Sequence, residues 1–264
     1  SGRRFELRSL APQAKRIVHY PTRTHYRVTG YRLKGLRFVD PYRSKGNQHS
    51  YRGTTPRPSM AETAESGDNL PDLSQLDGAA NVLLLAPSFG NRGTDTGLRL
   101  LTRTPPPKTN VLVVSYVDTP GEFLRDWNET VGASPSRGGF VAVGEAEGNL
   151  DDPAWAVRTV ENPSDLTGVG IELSELLSGM ASAADSDEDI SFCFNSITSL
   201  LQYADVQRAF RFLHVVTGRV KTVGGTGHYH LDPEAHDRQT LATLKGLFDA
   251  VIEVNEDGSV DIQR

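Results

Sequence analysis

From residue 80 onward, short apolar runs alternate with segments of helical period, and that alternation constrains the fold more than any other feature of the chain. Asn81-Val82-Leu83-Leu84-Leu85-Ala86 is apolar at every position but the first and runs into the Pro- and Gly-bearing stretch 87–95. A strand with one wet face alternates; a strand buried on both faces reads as a continuous apolar run. The pattern predicts strands over 82–87, 111–116, 139–144, 190–194, 220–226 and 250–254, with a short extended piece over 155–160. One helix each is predicted over 95–103, 120–131, 166–182 and 232–247, and helices over 197–217. The 166–182 segment carries Leu166, Val169, Leu173, Leu176, Leu177 and Met180 at helical spacing. Such alternation implies an α/β fold: a mostly parallel central sheet with helices on both faces, in three layers. Ligands in that architecture bind beyond the carboxyl ends of the strands.

The loop after the first strand is Pro87-Ser88-Phe89-Gly90-Asn91-Arg92-Gly93-Thr94-Asp95. A phosphate-binding loop would sit there, yet no lysine precedes a hydroxyl residue after its last glycine. The strand Asp189-Ile190-Ser191-Phe192-Cys193-Phe194 ends in Asn195-Ser196, where a magnesium-organising carboxylate would be expected. The candidates for residual nucleotide or anion contact are Ser88, Gly90, Arg92, Gly93, Thr94, Asp95, Asn195 and Ser196, because backbone N–H groups at a helix start attract anions. The plainer reading makes Gly90, Gly93 and Gly97 a tight strand-to-helix turn, and Ser196, Thr198 and Ser199 a helix cap. Farther along, Phe210, Phe212, Leu213, Val215 and Val216 read as core.

The densest set of possible ligands is His228-x-His230-x-Asp232-x3-His236-Asp237. On a strand His228 and His230 point to one side. Asp232 and Pro233 then open a helix as N-cap and first residue, with His236 and Asp237 in its first turns. Imidazole and carboxylate together suit a divalent metal. The competing reading is a hydrogen-bonded strand-to-helix junction.

Charge is unevenly spread. Residues 1–59 hold 14 Lys and Arg against Glu6 and Asp40, a net +12, while residues 60–264 hold 14 bases against 31 acids, a net −17. Only Lys108, Lys221 and Lys245 are lysines in the later part. Acidic, lysine-poor surfaces fit a cytoplasm of high salt, so the body reads as haloarchaeal, with an ordinary acidic bacterial protein as the alternative. Residues 1–59 read as a basic, disordered arm and 60–79 as an acidic leader before a domain over 80–264. Met60 is the expected natural start, which would make 1–59 a mis-assigned extension. Nucleic-acid binding rests on that arm alone, and the acidic body opposes it. Cys193 has no cysteine partner and reads as a small buried hydrophobe. No run of 18 apolar residues and no signal-type h-region occurs in the sequence, so a cytoplasmic protein that does not span a membrane is expected.

The blocks Phe194-Asn195-Ser196-Ile197-Thr198-Ser199-Leu200-Leu201-Gln202-Tyr203, Arg208-Ala209-Phe210-Arg211-Phe212-Leu213-His214 and Gly227-His228-Tyr229-His230-Leu231-Asp232-Pro233-Glu234-Ala235-His236-Asp237 resemble a haloarchaeal family related to the RecA/KaiC/GvpD group of P-loop ATPases. The resemblance spans about residues 81–255. It implies ATP with magnesium, paired acids after the second strand and an Asp at the end of a later one. Here Thr94 follows Gly93 in the lysine's place, Val117-Asp118 keeps one carboxylate of the pair, and Asn195 replaces the Asp. Lysine neutralises the phosphates, and the acids hold magnesium and orient water. The expectation is therefore a non-catalytic or weakly nucleotide-binding module with a signalling or regulatory role through protein contacts, and plausible self-association. The alternatives are an unconventional ATPase using Asp118 and a metal-binding hydrolase using His228, His230, Asp232 and His236.

Overall fold

Among the described residues seven strands lie side by side and parallel, and all but the one at Trp155–Val160 are mostly buried, as apolar runs under helices on both faces require. The computed structural model describes residues 73–88, 92–144, 152–255 and 259–264, with Arg92 by its backbone only. The strands are β1 (Asn81–Leu85), β2 (Thr109–Ser115), β3 (Arg137–Val143), β4 (Trp155–Val160), β5 (Asp189–Asn195), β6 (Thr226–Leu231), β7 (Ala250–Val254) and β8 (Val260–Gln263). They form one sheet in the order β4-β3-β2-β5-β6-β1-β7-β8. Among the described residues only the β7–β8 pair is antiparallel.

Helices cover both faces. On the first lie α1 (Arg92–Leu101) and α2 (Pro120–Thr130). Leu98 and Leu101 of α1 and Phe123 and Trp127 of α2 pack on Val111, Val113, Phe140 and Cys193, and Leu100 packs on Val82, Leu84 and Ile252. On the second lie α3 (Leu166–Ala183), the short α4 (Ile197–Leu200), α5 (Val206–Thr222) and α6 (Arg238–Lys245). Their residues Val169, Leu173, Ile197, Leu213, Val216 and Leu244 meet Leu83, Leu112, Phe192, Phe194 and Tyr229. Neighbouring strand residues thus serve opposite layers, and the protein is a three-layer α/β domain of the Rossmann/RecA type.

Local signals set the helix starts. Thr119 and Glu122 form a reciprocal capping box before α2, with Pro120 at its first position. Asp165 caps α3 and Asp205 caps α5. Leu76, in a 3₁₀ turn at Leu73–Leu76, is fully buried in the cluster of β1 and β7 side chains, so the end of the acidic leader packs into this domain. Residues 1–59, the leader's first part and the loop residues 89–91 lie outside the described residues.

Two predicted elements are corrected. The 220–226 strand is instead the end of α5, which runs to Thr222 because Val216 and Val220 continue its buried stripe; Gly224, at φ +70°, turns the chain, and β6 starts only at Thr226. The helices predicted over 197–217 are α4 and α5, separated where Asp205 caps a new start. The 232–247 helix is a 3₁₀ turn at Pro233–Ala235 followed by α6, because Asp237 supplies a second cap. The strand β8 was not foreseen: its four residues alternate in burial and offer no apolar run.

Candidate functional site

The strand order reverses between β2 and β5. From β2 the chain moves outward through α2 to β3 and β4; from β5 it moves the other way through α4 and α5 to β6. The helices leaving these two adjacent strands cover opposite faces, which opens a crevice at their carboxyl ends. Asp118 and Asn195 meet there. Ser115 Oγ accepts hydrogen bonds from the backbone N–H groups of Val117 (3.2 Å) and Asp118 (2.8 Å) and so shapes the turn out of β2. Asn195 Nδ2 donates to Asp118 Oδ2 at 2.6 Å. The Asn195–Ser196 peptide is cis, and Ser196 caps α4 by accepting from Ser199 N–H at 3.1 Å.

A second group joins the loop after β1 to the end of β6. Asp232 Oδ2 accepts from the backbone N–H of Ser88 at 2.9 Å, and its Oδ1 accepts from Glu234 N–H at 2.9 Å. Its own backbone N–H donates to Thr198 Oγ1 at 2.8 Å, and His236 Nε2 lies 3.2 Å from the same hydroxyl. Burial holds the His236 pKa below its ordinary value, against the pull of Asp232 and Asp237. Asp237 is committed to the N–H of Thr240 as the α6 cap, which lowers its pKa.

The third group lies deeper, under α1. Cys193 of β5 and His228 of β6 are register partners, in a row that runs from Val113 of β2 to Val82 of β1. His230 lies two residues farther along the same face, opposite Leu84. Both Cys193 and His228 are buried; His230 keeps some exposed surface, but its Nε2 is sealed from solvent. The rings of His228 and His230 stand 5.1 Å apart between centroids. Burial, and then the neighbouring His230, push the His228 pKa well below its ordinary value; burial brings that of His230 to about 4. Burial, and then the negative charge of Asp118, push the Cys193 thiol well up. Both imidazoles are thus neutral at pH 7 and the thiol keeps its proton.

The five residues of the His/Asp motif therefore do not converge. His228 and His230 turn to the α1 face, whereas Asp232 and His236 are bound to Ser88 and Thr198 and Asp237 caps a helix. The cause is the 3₁₀ turn, which replaces the predicted helix and rotates the residues after Leu231 away from the strand face. Asn195, Ser196, Ser88 and Asp118 all lie at the carboxyl end of the sheet, as the pattern requires. Thr94 and Asp95 are exposed on α1, and Gly93 is half-buried against Ala86. Gly90 and the Arg92 side chain lie outside the described residues. Sequence reasoning missed Cys193 and Gly97 as members of the buried group. Cys193 stands two residues before Asn195 in one strand, and so on the same face; its pairing with His228 is a matter of register that a single sequence does not state.

Fold and crevice define a three-layer α/β domain with its polar groups gathered at a topological switch point. Residues 79–254 match the model of DUF7504, a family of unknown function, and the chain belongs to that family. A structure of the Pyrococcus horikoshii OT3 protein PH0250 is similar at a TM-score of 0.47 and 11% identity, covering 71% of this chain and 86% of that one. The uncharacterized Pyrococcus horikoshii protein PH0321, solved with an unknown peptide, is similar at 0.46 and 13%, covering 72% and 86%. No curated protein matches the chain. Among the described residues no helix is long and apolar enough to cross a membrane.

Proposed function

We propose that this chain is a RecA/KaiC-like module without efficient nucleotide hydrolysis, acting in signalling or regulation through protein contacts in a high-salt cytoplasm. The observation that carries the reading is the 2.6 Å bond from the Asn195 amide to Asp118. Magnesium in a hydrolytic crevice is held by carboxylates and their bound waters. At the end of β5 this crevice offers a neutral amide, and the amide's N–H engages Asp118 directly. A hard cation entering there would have to break a charge-assisted hydrogen bond. With no lysine in the loop after β1, the γ-phosphate also lacks its usual neutralising charge, a deficit of about 3–4 kcal/mol by analogy with the loss of one preorganised charge-stabilising donor.

Protein contact has its own support. Between α3 and α5 runs an open groove of about 600 Å³, with Leu166, Ile171, Phe212 and Val215 against Arg208, Arg211 and Arg219. Ile171 and Val215 are more than half exposed, so Val215 is not core as its spacing had predicted. Arginines around an apolar floor, on a body of net −17, fit an acidic partner segment with apolar anchors.

Calorimetric titration of the full chain with ATP and magnesium in molar KCl tests the reading. We expect no saturable heat and no phosphate release. Stoichiometric binding followed by slow phosphate release would refute it and establish the ATPase alternative, with Asp118 as the first residue to change.

A further inference from the structure

The buried group under α1 is left without a role by the reading above. We propose that Cys193, His228 and His230 form a binding site for one thiophilic metal ion, zinc(II) or copper(I), held between β5, β6 and α1. Their donor atoms lie within 4.8 Å of one another. An ion bound at about 2.3 Å from sulfur and about 2.0 Å from nitrogen spaces its donors roughly 3.5 Å apart, a contraction within reach of side-chain rotation. One thiolate with two imidazoles is a donor set suited to these soft and borderline ions, and unsuited to magnesium or calcium.

Two further observations point to a ligand. The Nε2 atoms of both His228 and His230 are buried with no hydrogen-bond partner, and a buried polar atom left unsatisfied destabilises the fold unless something binds it. They also converge on one place. A Cβ on Gly97 would stand 2.7 Å from His230 Nε2 and 3.2 Å from His228 Nε2, so the two nitrogens look into the space that this glycine leaves open. A structural row of core residues would be expected to bring apolar side chains here, as Val113 and Val82 do on either side.

The imidazoles bind through Nε2 in the neutral form, with the ring proton on Nδ1. The thiol must give up its proton, which passes to solvent as the sulfur–metal bond forms, so one proton leaves for each ion bound. The site is distinct from the Asp118–Asn195 crevice and stands whether or not nucleotide binds there.

The test uses the untagged full chain under anaerobic conditions, titrated with Co(II) and then back-titrated with Zn(II); a parallel titration uses Cu(I). We expect one ion per chain, a sulfur-to-cobalt charge-transfer band in the near ultraviolet, and its removal by one equivalent of zinc. Zinc displacement or tighter copper(I) retention identifies the ion. Cys193→Ser should abolish the band and weaken retention beyond the roughly 10–100-fold caused by losing an outer-shell partner. Gly97→Ala puts a methyl group into the same space while favouring the helix, and should abolish binding in a protein whose circular dichroism is unchanged. The proposal is overturned if neither zinc nor copper(I) is retained by the parent chain, or if folded Cys193→Ser and Gly97→Ala proteins retain the ion as well as the parent.

Discussion

Asn195→Asp is the substitution that probes the crevice most directly. It exchanges the amide that donates to Asp118 at 2.6 Å for a second carboxylate in the same place. Two full charges about 3 Å apart repel by roughly 5 kcal/mol at an effective dielectric constant of about 20. The pair escapes that cost by holding one proton. Carrying a carboxyl proton from its ordinary pKa near 4 to pH 7 costs about 1.4 kcal/mol per unit, or about 4 kcal/mol. Both groups are part-buried rather than sealed, so water reduces the figure, and we predict a loss of about 2–3 kcal/mol at pH 7. The sign of the pH dependence follows. The pair's upper pKa is raised in the folded state, so the penalty is full above that folded value and disappears as pH falls below the unfolded carboxylate pKa, where both states hold the proton. Urea titrations of parent and variant at pH 7 and pH 4 give the two differences, with Asn195→Ser as a control that removes the bond without adding charge and should cost about 1–2 kcal/mol at either pH. A variant as stable as the parent at pH 7, or a penalty equal at both pH values, would refute the contact on which the functional reading rests.

Two further substitutions test the frame that holds the crevice. Gly138 lies under the Trp155 ring, and a Cβ there would come within 2.2 Å of Trp155 Cδ2; Gly138→Ala should cost about 3 kcal/mol in a denaturant titration, from overpacking between β3 and β4, and a neutral result would place the indole elsewhere. At the opposite end of the sheet Glu188 accepts hydrogen bonds from Ser136, Asn110, the backbone N–H of Asp185 and Arg137, which together bring its pKa to about 2. A depressed carboxyl contributes stability above its unfolded value of 4.5, and that contribution is lost as pH falls from there towards 2. Glu188→Gln should therefore lower stability at pH 6 and flatten its dependence over that acid window; a variant with the parent's full acid dependence would contradict the assignment.

The acidic stretch 183–189 reads from the sequence as a plain surface loop, and at Asp185 and Asp187, both exposed, the structure agrees. Glu188 differs because, beside the N–H of Asp185 from its own loop, Asn110, Ser136 and Arg137 reach it from near the starts of β2 and β3, and nothing within the loop's own sequence announces those three. The same division runs through the whole domain. Runs such as Val111-Leu112-Val113-Val114, apolar at every position, require burial on both faces, and burial on both faces requires helices above and below a parallel sheet. Thr119-Pro120-Gly121-Glu122 contains everything a capped helix start needs. These are local matters, decided by neighbours three or four residues away, and the chain states them outright.

What lies across the sheet is different. That Asn195 meets Asp118 and that Cys193 stands beside His228 follow from strand order and register. Strand order depends on which crossover each helix takes, and register on how whole layers interlock; both are summed over the entire core. The His/Asp motif shows the consequence. Five ligand-type residues within ten positions promised one cluster, and a single 3₁₀ turn after β6 divided them among a buried pair, two hydrogen-bonded links and a helix cap. By itself the sequence determined the layers, the parallel strands and the end of the sheet at which polar chemistry gathers. Only the tertiary structure decided which polar groups touch, because contacts between distant segments are set by packing and not by spacing along the chain.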